Sequence, residues 1–573
     1  MVGIGVVPGM AKAKTYLLDE DTVLIEKRIV DDPETEYQRF LAAKEVCGAQ
    51  LEEIMGAMPE HMAADNREIF DYQLLLLEDT GFLGLIQTAV QKEQVNCEYA
   101  VHIAAQKYIA LFENMDNDYL KQRTIDMVDI SRRLNAILTG KEQKTLTGIL
   151  EDSIVAAADL TPSQTAGINR DRVKGILLEK GGSSSHSVII ARAMDIPCIV
   201  GIEGLLDQAI HGEMVIMNGS TGEVITNPTQ AQTAEYEAYT AKEKIEKQQL
   251  DRYKKCATQT LDGTKMQVYA NITSENDVTA LLENGGEGVG LFRTEFLYMA
   301  GESLPTEELQ YKVYSNIAKR LEGRPLIIRT LDAGGDKNIG SLGIEKEENP
   351  FLGYRAIRYC LDHPELFKTQ ISAILRAGAG GNTSFMVPMI ATIDEVLRTR
   401  ALAEEVKAEL EKKGIPHAGA IHIGMMVETP AAAFDADRFA REVDFFSIGT
   451  NDLTQYLFAA DRMNQRVTGL NSYFQPTLLR AIKHICECGK RNGIEVDICG
   501  QAGEIPALIP LWVAMGVDNL SVSIPAIPKV RKIICETRSS DAAEIMKKAL
   551  LFDSAQELEE FLKQQFSHKE VRR

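Results

Sequence analysis

Charged side chains follow the β-rich runs in the second half of this 573-residue sequence, and together they could bind a phosphate. The cationic members of the set are Arg293, Arg329, Lys337, Arg355 and Arg462. A guanidinium group binds a phosphate or a carboxylate through two parallel hydrogen bonds, and a lysine adds a point charge. The set therefore predicts a site for a small molecule that carries two or three negative charges.

Two carboxylates, Glu428 and Asp452, occur at corresponding places in the same half of the sequence. Mg²⁺ prefers oxygen ligands, and proteins usually hold it through one or two carboxylates together with phosphate oxygens and water. Asn271, Asn451 and Cys499 also lie at the ends of β-rich runs. We therefore predict that the anion binds with Mg²⁺, and that Glu428 and Asp452 are the protein ligands of the metal.

A second centre lies in the stretch GGSSSHSVII, where His186 follows two glycines and three serines. A turn of this composition leaves backbone N–H groups and hydroxyls free to surround an anion. A neutral imidazole, with an ordinary pKa of about 6.5, can act as a nucleophile toward phosphorus. The local pattern alone also fits an ordinary surface histidine, so it leaves both interpretations open.

Eight β-rich runs position the residues of the second half: MQVYANI, GVGLFRT, PLIIRTL, SFMVPMI, HIGMMVE, FFSIGT, VDICG and NLSVS. They alternate with helical stretches from Lys265 onward, which predicts a (β/α)8 barrel of the TIM type. Catalytic residues of such barrels sit at the C-terminal ends of the strands, so the charged side chains should converge at one mouth.

The first half is organised differently. Residues 1 to about 20 predict short strands, and apolar residues at helical spacing predict a helical bundle from Asp32 to about Gly140. Strand and turn signals return from Gly148 to Thr226, and the charged residues 228–255 predict a connecting helix. The fold class is therefore multidomain α/β, with a helical bundle inserted into an α/β domain and a barrel after it.

Composition limits the function classes. Sixty-two basic residues against 83 acidic ones give a formal charge of −21, which disfavours nucleic-acid binding through a general basic surface. No apolar run is long enough for a bilayer, and the first residues do not resemble a signal peptide. Nine cysteines without repeated CxxC pairs fit a reducing cytosol. We expect a cytoplasmic protein that binds neither nucleic acid nor membrane.

Longer motifs carry a resemblance that covers essentially the whole chain. They are DLTPS, the His186 segment, LFRTEFLY, RTLDAGGDK, NPFLGYRAIR, GMMVETPAA and FSIGTNDLTQYLFAADR, in this order. With them the sequence closely resembles Enzyme I, the phosphoenolpyruvate–protein phosphotransferase of the bacterial sugar phosphotransferase system. The resemblance implies phosphoryl transfer from phosphoenolpyruvate to His186 and on to a small histidine phosphocarrier protein, with release of pyruvate, as the first step of sugar uptake.

The resemblance also implies roles for individual residues. Cys499 would protonate the enolate of pyruvate, and Glu428 and Asp452 would bind Mg²⁺. The residues implied in phosphoenolpyruvate binding are Arg293, Arg329, Lys337, Arg355, Asn451, Asp452 and Arg462.

Four parts of the chain follow from the same resemblance. A swivelling phosphohistidine domain would comprise residues 1–20 and 144–226, and a helical domain that docks the phosphocarrier would comprise residues 21–143. A linker helix would span residues 227–255, and the phosphoenolpyruvate-binding barrel would span residues 256–573. The family forms homodimers through this barrel.

The chain departs from the pattern of that family in three segments. Serines 183–185 stand where the family has a basic residue or threonine followed by Thr-Ser. The residues after Cys499 read GQAGE, one residue and one carboxylate fewer than usual, and GLNSYFQPTLL lacks the usual Tyr-Gln-Pro pattern. The serines retain hydroxyls, so we expect little effect from the first change. The other two, above all the segment after Cys499, keep an alternative open, a regulatory paralogue that senses phosphoenolpyruvate with weak or no turnover.

Two related enzyme classes fit the sequence less well. Pyruvate–phosphate dikinases and phosphoenolpyruvate synthases share the histidine domain and the barrel but need an ATP-binding domain, and no glycine-rich phosphate loop is evident here. A nitrogen-regulatory Enzyme I would carry an additional N-terminal sensory domain, which we do not expect in this chain.

Overall fold

The computed structural model divides the chain into two compact units, Met1–Ile245 and Glu246–Arg573, which are described separately. No helix among the described residues is long and apolar enough to cross a membrane. The described residues are 1–18, 25–57, 70–113, 124–140, 146, 149–160, 164, 168–181, 186–194, 196–208, 211–299, 303–334, 339–345, 347–462, 464 and 466–571.

A seven-stranded sheet organises the first unit. Its strands are β1 (Ile4–Val7), β2 (Met10–Leu18), β3 (Ser153–Ala157), β4 (Val173–Leu178), β5 (Cys198–Val200), β6 (Met214–Asn218) and β7 (Glu223–Thr226). The order is β1-β5-β4-β3-β2-β6-β7, in which β2 to β5 run parallel and the outer strands pair antiparallel. Because β2 pairs with β3, the N-terminal strands complete the later α/β sheet, as predicted.

Helices occupy the sequence between β2 and β3, so the predicted helical insertion is confirmed. They pack around an apolar core that includes Phe40, Phe70 and Phe82. The carboxylate of Asp79 begins one helix by accepting the N–H of Phe82 at 2.7 Å, an N-cap contact. The helices are Pro33–Ala57, residues 70–78, Thr80–Gln91, Cys97–Glu113 and Thr124–Thr139.

Further helices precede the barrel among the described residues. His186–Ala193 begins at the histidine that the sequence singled out, and Leu205–Gln208 is a short helix before β6. Gln230–Asp251 is the predicted connecting helix, and the 3-10 turn Arg252–Lys254 continues it. The domain limits given in the sequence analysis stay predictions.

Eight parallel strands close into a barrel in the second unit, which confirms the predicted (β/α)8 fold. Each is paired with the next in the chain, and β15 closes on β8. The strands are β8 (Gln267–Ile272), β9 (Val289–Arg293), β10 (Leu326–Arg329), β11 (Thr383–Val387), β12 (Ile423–Val427), β13 (Phe445–Gly449), β14 (Glu495–Cys499) and β15 (Asn519–Val522).

Helices between the strands form the outer layer of the barrel. The helix Ile393–Lys412 begins with a capping box, in which the side chains of Thr392 and Glu395 each accept a backbone N–H of the other residue. The α-helices of this unit are Asp277–Glu283, Glu295–Met299, Glu307–Arg320, Ile357–Asp362, Pro364–Ala377, Ile393–Lys412, Pro430–Phe434, Ala436–Phe439, Thr450–Leu457, Pro476–Asn492, Ile509–Met515, Ile527–Cys535, Ser539–Ala549 and Ala555–Val571.

Alternation along the strands separates an outer from an inner set of side chains. The large apolar core joins strand residues such as Ile328 and Met425 to the surrounding helices. A small separate cluster forms from the alternate positions, which therefore face the barrel interior. Its members are Leu291, Ile327, Met386, Met426, Phe445 and Cys499.

Candidate active site

The two-residue period of the strands places the predicted site residues on the barrel interior. Arg293 follows the interior residue Leu291 by two positions, and Arg329 follows Ile327 by two. Glu428, the first residue after β12, follows the interior residue Met426 in the same way. Because the strands are parallel, their C-terminal ends share one edge of the barrel. These side chains therefore meet at one mouth.

A buried carboxylate joins two of the predicted arginines. Asp332 accepts hydrogen bonds from Arg355 Nη2 at 2.7 Å and pairs with Arg329 Nη1 at 2.9 Å. Glu295 accepts a further hydrogen bond from Arg329 Nη2 at 2.5 Å. These carboxylates raise the pKa of Arg329 against the opposing effect of its burial, so its guanidinium keeps its charge. The ion pairs fix the direction in which both guanidiniums point.

The backbone of the loop after Arg355 holds this arrangement in place. Ala356 has a φ of 53°, an uncommon conformation for a residue with a Cβ, and its N–H donates to Ala333 O at 3.0 Å. The Glu347 carboxylate accepts the N–H of Tyr354, the residue before Arg355, at 2.9 Å. The loop is therefore tied to the segment after β10, which also carries Asp332.

The guanidiniums retain unused donors. Among the described residues, the Nε atoms of Arg293, Arg329 and Arg355 are buried without a hydrogen-bond partner. Burial, and then the neighbouring charge of Arg329, lower the pKa of Arg293. Buried N–H groups are rarely left without an acceptor. An anion at the mouth would supply the acceptors and offset the repulsion between the arginines.

The two predicted metal ligands form a second, anionic part of the mouth. Glu428 is 1% exposed, and its Oε1 accepts the N–H of Met389 at 2.7 Å while Oε2 has no hydrogen-bond partner among the described residues. Burial and the nearby Asp452 carboxylate raise the pKa of Glu428. Gly449 leaves room for this group, because a Cβ there would lie 2.5 Å from Glu428 Oε2.

This donor set fits a divalent cation. Two adjacent buried carboxylates repel each other, and a cation between them would remove both that repulsion and the orphaned oxygen. The part of the chain that the structure describes contains no group of three or more histidine, cysteine, aspartate or glutamate side chains with metal-binding geometry. Two carboxylates, completed by ligand oxygens and water, are the set that Mg²⁺ commonly uses.

An aromatic ring connects the cationic and the anionic parts. The guanidinium carbons of Arg355 and Arg462 lie 5.9 and 5.6 Å from the centre of the Phe351 ring. Arg462 Nη1 is also 3.3 Å from Asp452 Oδ1. Phe351 thus positions two cations without neutralising them, through contacts to the face of its ring.

Asn451 has its amide fixed by two donors. Its Oδ1 accepts the Tyr473 hydroxyl at 2.8 Å and the N–H of Gln501 at 3.2 Å. The Tyr473 hydroxyl also lies 2.9 Å from Gln501 Oε1. With the oxygen occupied in this way, the orientation of the Asn451 side chain is set by the two loops that follow β13 and β14.

Cys499 lies at the end of β14, inside the barrel, and is 1% exposed. The Ser447 hydroxyl donates to its sulfur at 3.2 Å. Burial raises the pKa of Cys499 to about 11. The thiol therefore keeps its proton at neutral pH, which suits a proton donor better than a nucleophile.

Two of the sequence-derived residues cannot be placed by their side chains. Lys337 lies outside the described residues, and for His186 the structure describes only the backbone at the start of the helix His186–Ala193. The next residue, Ser187, donates to Asp159 Oδ1 at 3.0 Å and to Leu160 O at 3.1 Å. These bonds join the histidine segment to the DLTPS motif within the first unit.

Comparison with known proteins agrees with this architecture. The models of three parts of PEP-utilising enzymes match the chain: the N-terminal part over residues 2–123, the mobile domain over 149–222 and the PEP-binding domain over 247–539. Phosphoenolpyruvate-protein phosphotransferase of Bacillus sp. (strain S) is 42% identical over 565 residues, covering 99% of this chain and 98% of that protein. The protein of that name from Bacillus subtilis (strain 168) is 40% identical over 564 residues, covering 98% and 99%.

The chain belongs to the phosphoenolpyruvate–protein phosphotransferase family. It is therefore an enzyme of that family, and the resemblance stated from its motifs is confirmed.

Sequence reasoning missed several residues of the site in this phosphotransferase. Asp332 and Glu295 pair with the buried arginines of the mouth. The ring of Phe351 lies against Arg355 and Arg462. Asp159 accepts a hydrogen bond from Ser187, in the helix that begins at His186. Each lies in a motif that the sequence analysis quoted. An acidic residue within three positions of a strand-end arginine was the available signal for Asp332 and Glu295.

Replacing Asp332 with asparagine should lower the free energy of unfolding of the barrel by about 3 kcal/mol, because two buried guanidiniums lose a charged partner. The buried Trp512 is the only tryptophan, so its fluorescence during urea unfolding reports on the barrel. Asp435→Asn, at an exposed carboxylate of the same unit, is the control and should change little. Equal stability of Asp332→Asn and the wild type would contradict the bridging role.

Cys499 should resist alkylation near neutral pH, whereas the exposed Cys256 should react quickly. Thiolates are the reactive form, and a pKa of about 11 means that deprotonation of Cys499 becomes substantial only as the pH rises toward that value. Mass spectrometry of iodoacetamide-treated protein measures both sites, and unfolded protein provides the full-labelling control. Rapid labelling of Cys499 in the folded protein at neutral pH would show that the thiol is ionised or exposed.

Proposed function

We propose that this enzyme transfers the phosphoryl group of phosphoenolpyruvate to His186 and then to a small histidine phosphocarrier protein, and that it releases pyruvate. The observation that supports this most is the barrel mouth. Buried guanidiniums with unused donors stand there beside two carboxylates suited to Mg²⁺. A phosphorylated carboxylic acid offers acceptors to both parts, and membership of the family supports the same reaction.

The cations take up the negative charge of the substrate. Positioning and neutralisation dominate phosphoryl transfer, because the transition state spreads charge over the phosphoryl oxygens. Arg293, Arg329 and Arg355 would donate to the phosphate and carboxylate oxygens, and Arg462, Asn451 and Lys337 would complete the contacts. Mg²⁺, bound by Glu428 and Asp452, would supply further positive charge next to the phosphate.

The covalent step exchanges one bond to phosphorus for another. A ring nitrogen of His186 attacks the phosphorus atom, the N–P bond forms, and the bond from phosphorus to the enol oxygen breaks. The enolate that leaves takes a proton on carbon from Cys499, which its raised pKa keeps protonated at neutral pH. The products are phosphohistidine and pyruvate.

Transfer to a second protein requires His186 to serve two partners in turn. We propose that the phosphohistidine domain, residues 1–20 with 144–226, swivels between the barrel of residues 256–573 and a phosphocarrier docked on residues 21–143. The linker helix, residues 227–255, would permit this movement. We further propose a cytoplasmic enzyme that forms homodimers through its barrel and initiates sugar uptake.

The regulatory alternative rests on the altered segments after Cys499 and Arg462. Gln501 of the first segment and Tyr473 of the second both bind Asn451, so the altered segments contribute to the mouth. This supports an active enzyme over a sensor without turnover.

Incubation with Mg²⁺ and phosphate-labelled phosphoenolpyruvate should label the wild type, and the label should be acid-labile, alkali-stable and removable with pyruvate. His186→Ala should carry no label because the acceptor nitrogen is gone. His211→Ala is the matched control, since His211 lies in the same unit and binds the N–H of Leu17, and it should be labelled normally. An unlabelled wild type that still binds phosphoenolpyruvate would favour the sensor.

Metal binding should depend on the carboxylate pair. Mn²⁺, a paramagnetic probe of magnesium sites, should bind Glu428→Gln or Asp452→Asn at least about tenfold more weakly than it binds the wild type, because one charged ligand is lost. Electron paramagnetic resonance of free Mn²⁺ measures this without turnover, and the exposed Asp435→Asn is the control. Unchanged affinity in both site variants would refute the assignment of Glu428 and Asp452.

A further inference from the structure

Two cysteines outside the barrel mouth lie beside each other. Cys256 is exposed and follows the 3-10 turn Arg252–Lys254, and Cys535 is half-buried at the end of the helix Ile527–Cys535. Cys256 Sγ lies 3.5 Å from Tyr253 O, and Cys535 Sγ lies 3.6 Å from the carbonyl oxygen of Ala257, the residue after Cys256. Burial and the neighbouring Cys256 thiol raise the pKa of Cys535. The other seven cysteines are buried.

The backbone around this pair is held in register from both sides. The buried Arg531 donates through Nη1 to Tyr253 O at 2.8 Å and through Nε to Thr258 Oγ1 at 2.7 Å. The Tyr253 hydroxyl donates to Glu536 Oε1 at 2.9 Å. Tyr253 precedes Cys256 and Thr258 follows it, and Glu536 is the residue after Cys535. The two segments that carry the cysteines are therefore held next to each other by contacts that do not involve the thiols.

We propose that Cys256 and Cys535 are a redox modification site, at which a hydroperoxide converts the two thiols into a reversible intramolecular disulfide. Disulfides need close Cβ atoms and freedom of the backbone to adopt the bridged geometry. One cysteine here lies in a loop and the other at a helix end, where small adjustments are least costly. A reversible bond is also compatible with a reducing compartment, in which permanent disulfides are rare.

The chemistry divides the roles between the thiols. Exposed Cys256 attacks the peroxide, so that an S–O bond forms, the O–O bond breaks and an alcohol or water leaves. Cys535 then attacks the sulfur of the resulting sulfenic acid, the S–S bond forms, and water leaves. Two thiols and one hydroperoxide thus give one disulfide, one alcohol and one water. Burial and the neighbouring Cys256 raise the pKa of Cys535, which fits its role as the second, resolving thiol.

The bond would connect distant parts of the sequence. Cys256 lies shortly after the helix Gln230–Asp251, before the first barrel strand, and Cys535 ends a helix that follows the last barrel strand. A disulfide there fixes the segment through which the connecting helix continues into the barrel. The barrel-mouth residues are not part of this contact.

Full-length protein treated with tert-butyl hydroperoxide, then alkylated and digested, should yield a Cys256–Cys535 cross-linked peptide that dithiothreitol removes. Titratable thiols in unfolded samples should fall by two from the nine of the reduced protein. Hydrogen exchange of the segment 252–261 should slow in the oxidised form. Cys256→Ser and Cys535→Ser should each abolish the cross-link, and each serves as the control for side reactions of the other thiol.

Several results would overturn the proposal. They are an unchanged thiol count, a sulfinic acid at Cys256 without the cross-linked peptide, and a disulfide between two chains on a non-reducing gel. The wild-type peptide map decides between them even if a serine variant folds poorly.

Discussion

The barrel mouth depends on the carboxylate of Asp332, which lies between Arg329 and Arg355 at 2.9 and 2.7 Å in a buried setting. Two guanidiniums cannot be buried side by side without an anion, since both desolvation and repulsion oppose it. The carboxylate makes the arrangement possible and also fixes its geometry. Strand β10 supplies Arg329, and the loop that supplies Arg355 must close back onto the segment carrying Asp332. That requirement explains why Ala356 adopts a φ of 53°.

The mouth has two complementary parts. Among the described residues, guanidinium Nε atoms on one side have no hydrogen-bond acceptor, and Glu428 Oε2 on the other side has no donor. The two parts do not satisfy each other. Asp332 and Glu295 already pair with the arginines, and the missing side chain of Gly449 leaves open space beside Glu428 Oε2. A phosphate-bearing ligand bound together with a divalent cation, as proposed above, would supply partners to both parts at once.

The parts predicted from sequence were those set by short-range periodicity. The eight strands, their parallel order and the interior position of Arg293, Arg329 and Glu428 all follow from alternation and from the length of the β-rich runs. Asp332 and Phe351 were missed because their role depends on how two long loops fold over the mouth. The spacing of apolar residues in the sequence does not predict how such loops fold. The loop conformations are decided by tertiary contacts, such as the bond from Ala356 N–H to Ala333 O.

The departures from the family pattern illustrate the same point. Two of them stand in separate segments of the sequence, one after Cys499 and one after Arg462. In the structure, the Tyr473 hydroxyl lies 2.9 Å from Gln501 Oε1. This hydroxyl and the Gln501 N–H both donate hydrogen bonds to Asn451 Oδ1. Gly500, with a φ of 101°, provides the turn that brings the Gln501 N–H to this oxygen. If the two segments had changed independently, the side chain of Asn451 would have lost its hydrogen-bond donors. Instead, each altered segment contributes one donor to Asn451 Oδ1, so the hydrogen bonds favour a joint change of both loops that keeps the amide oriented.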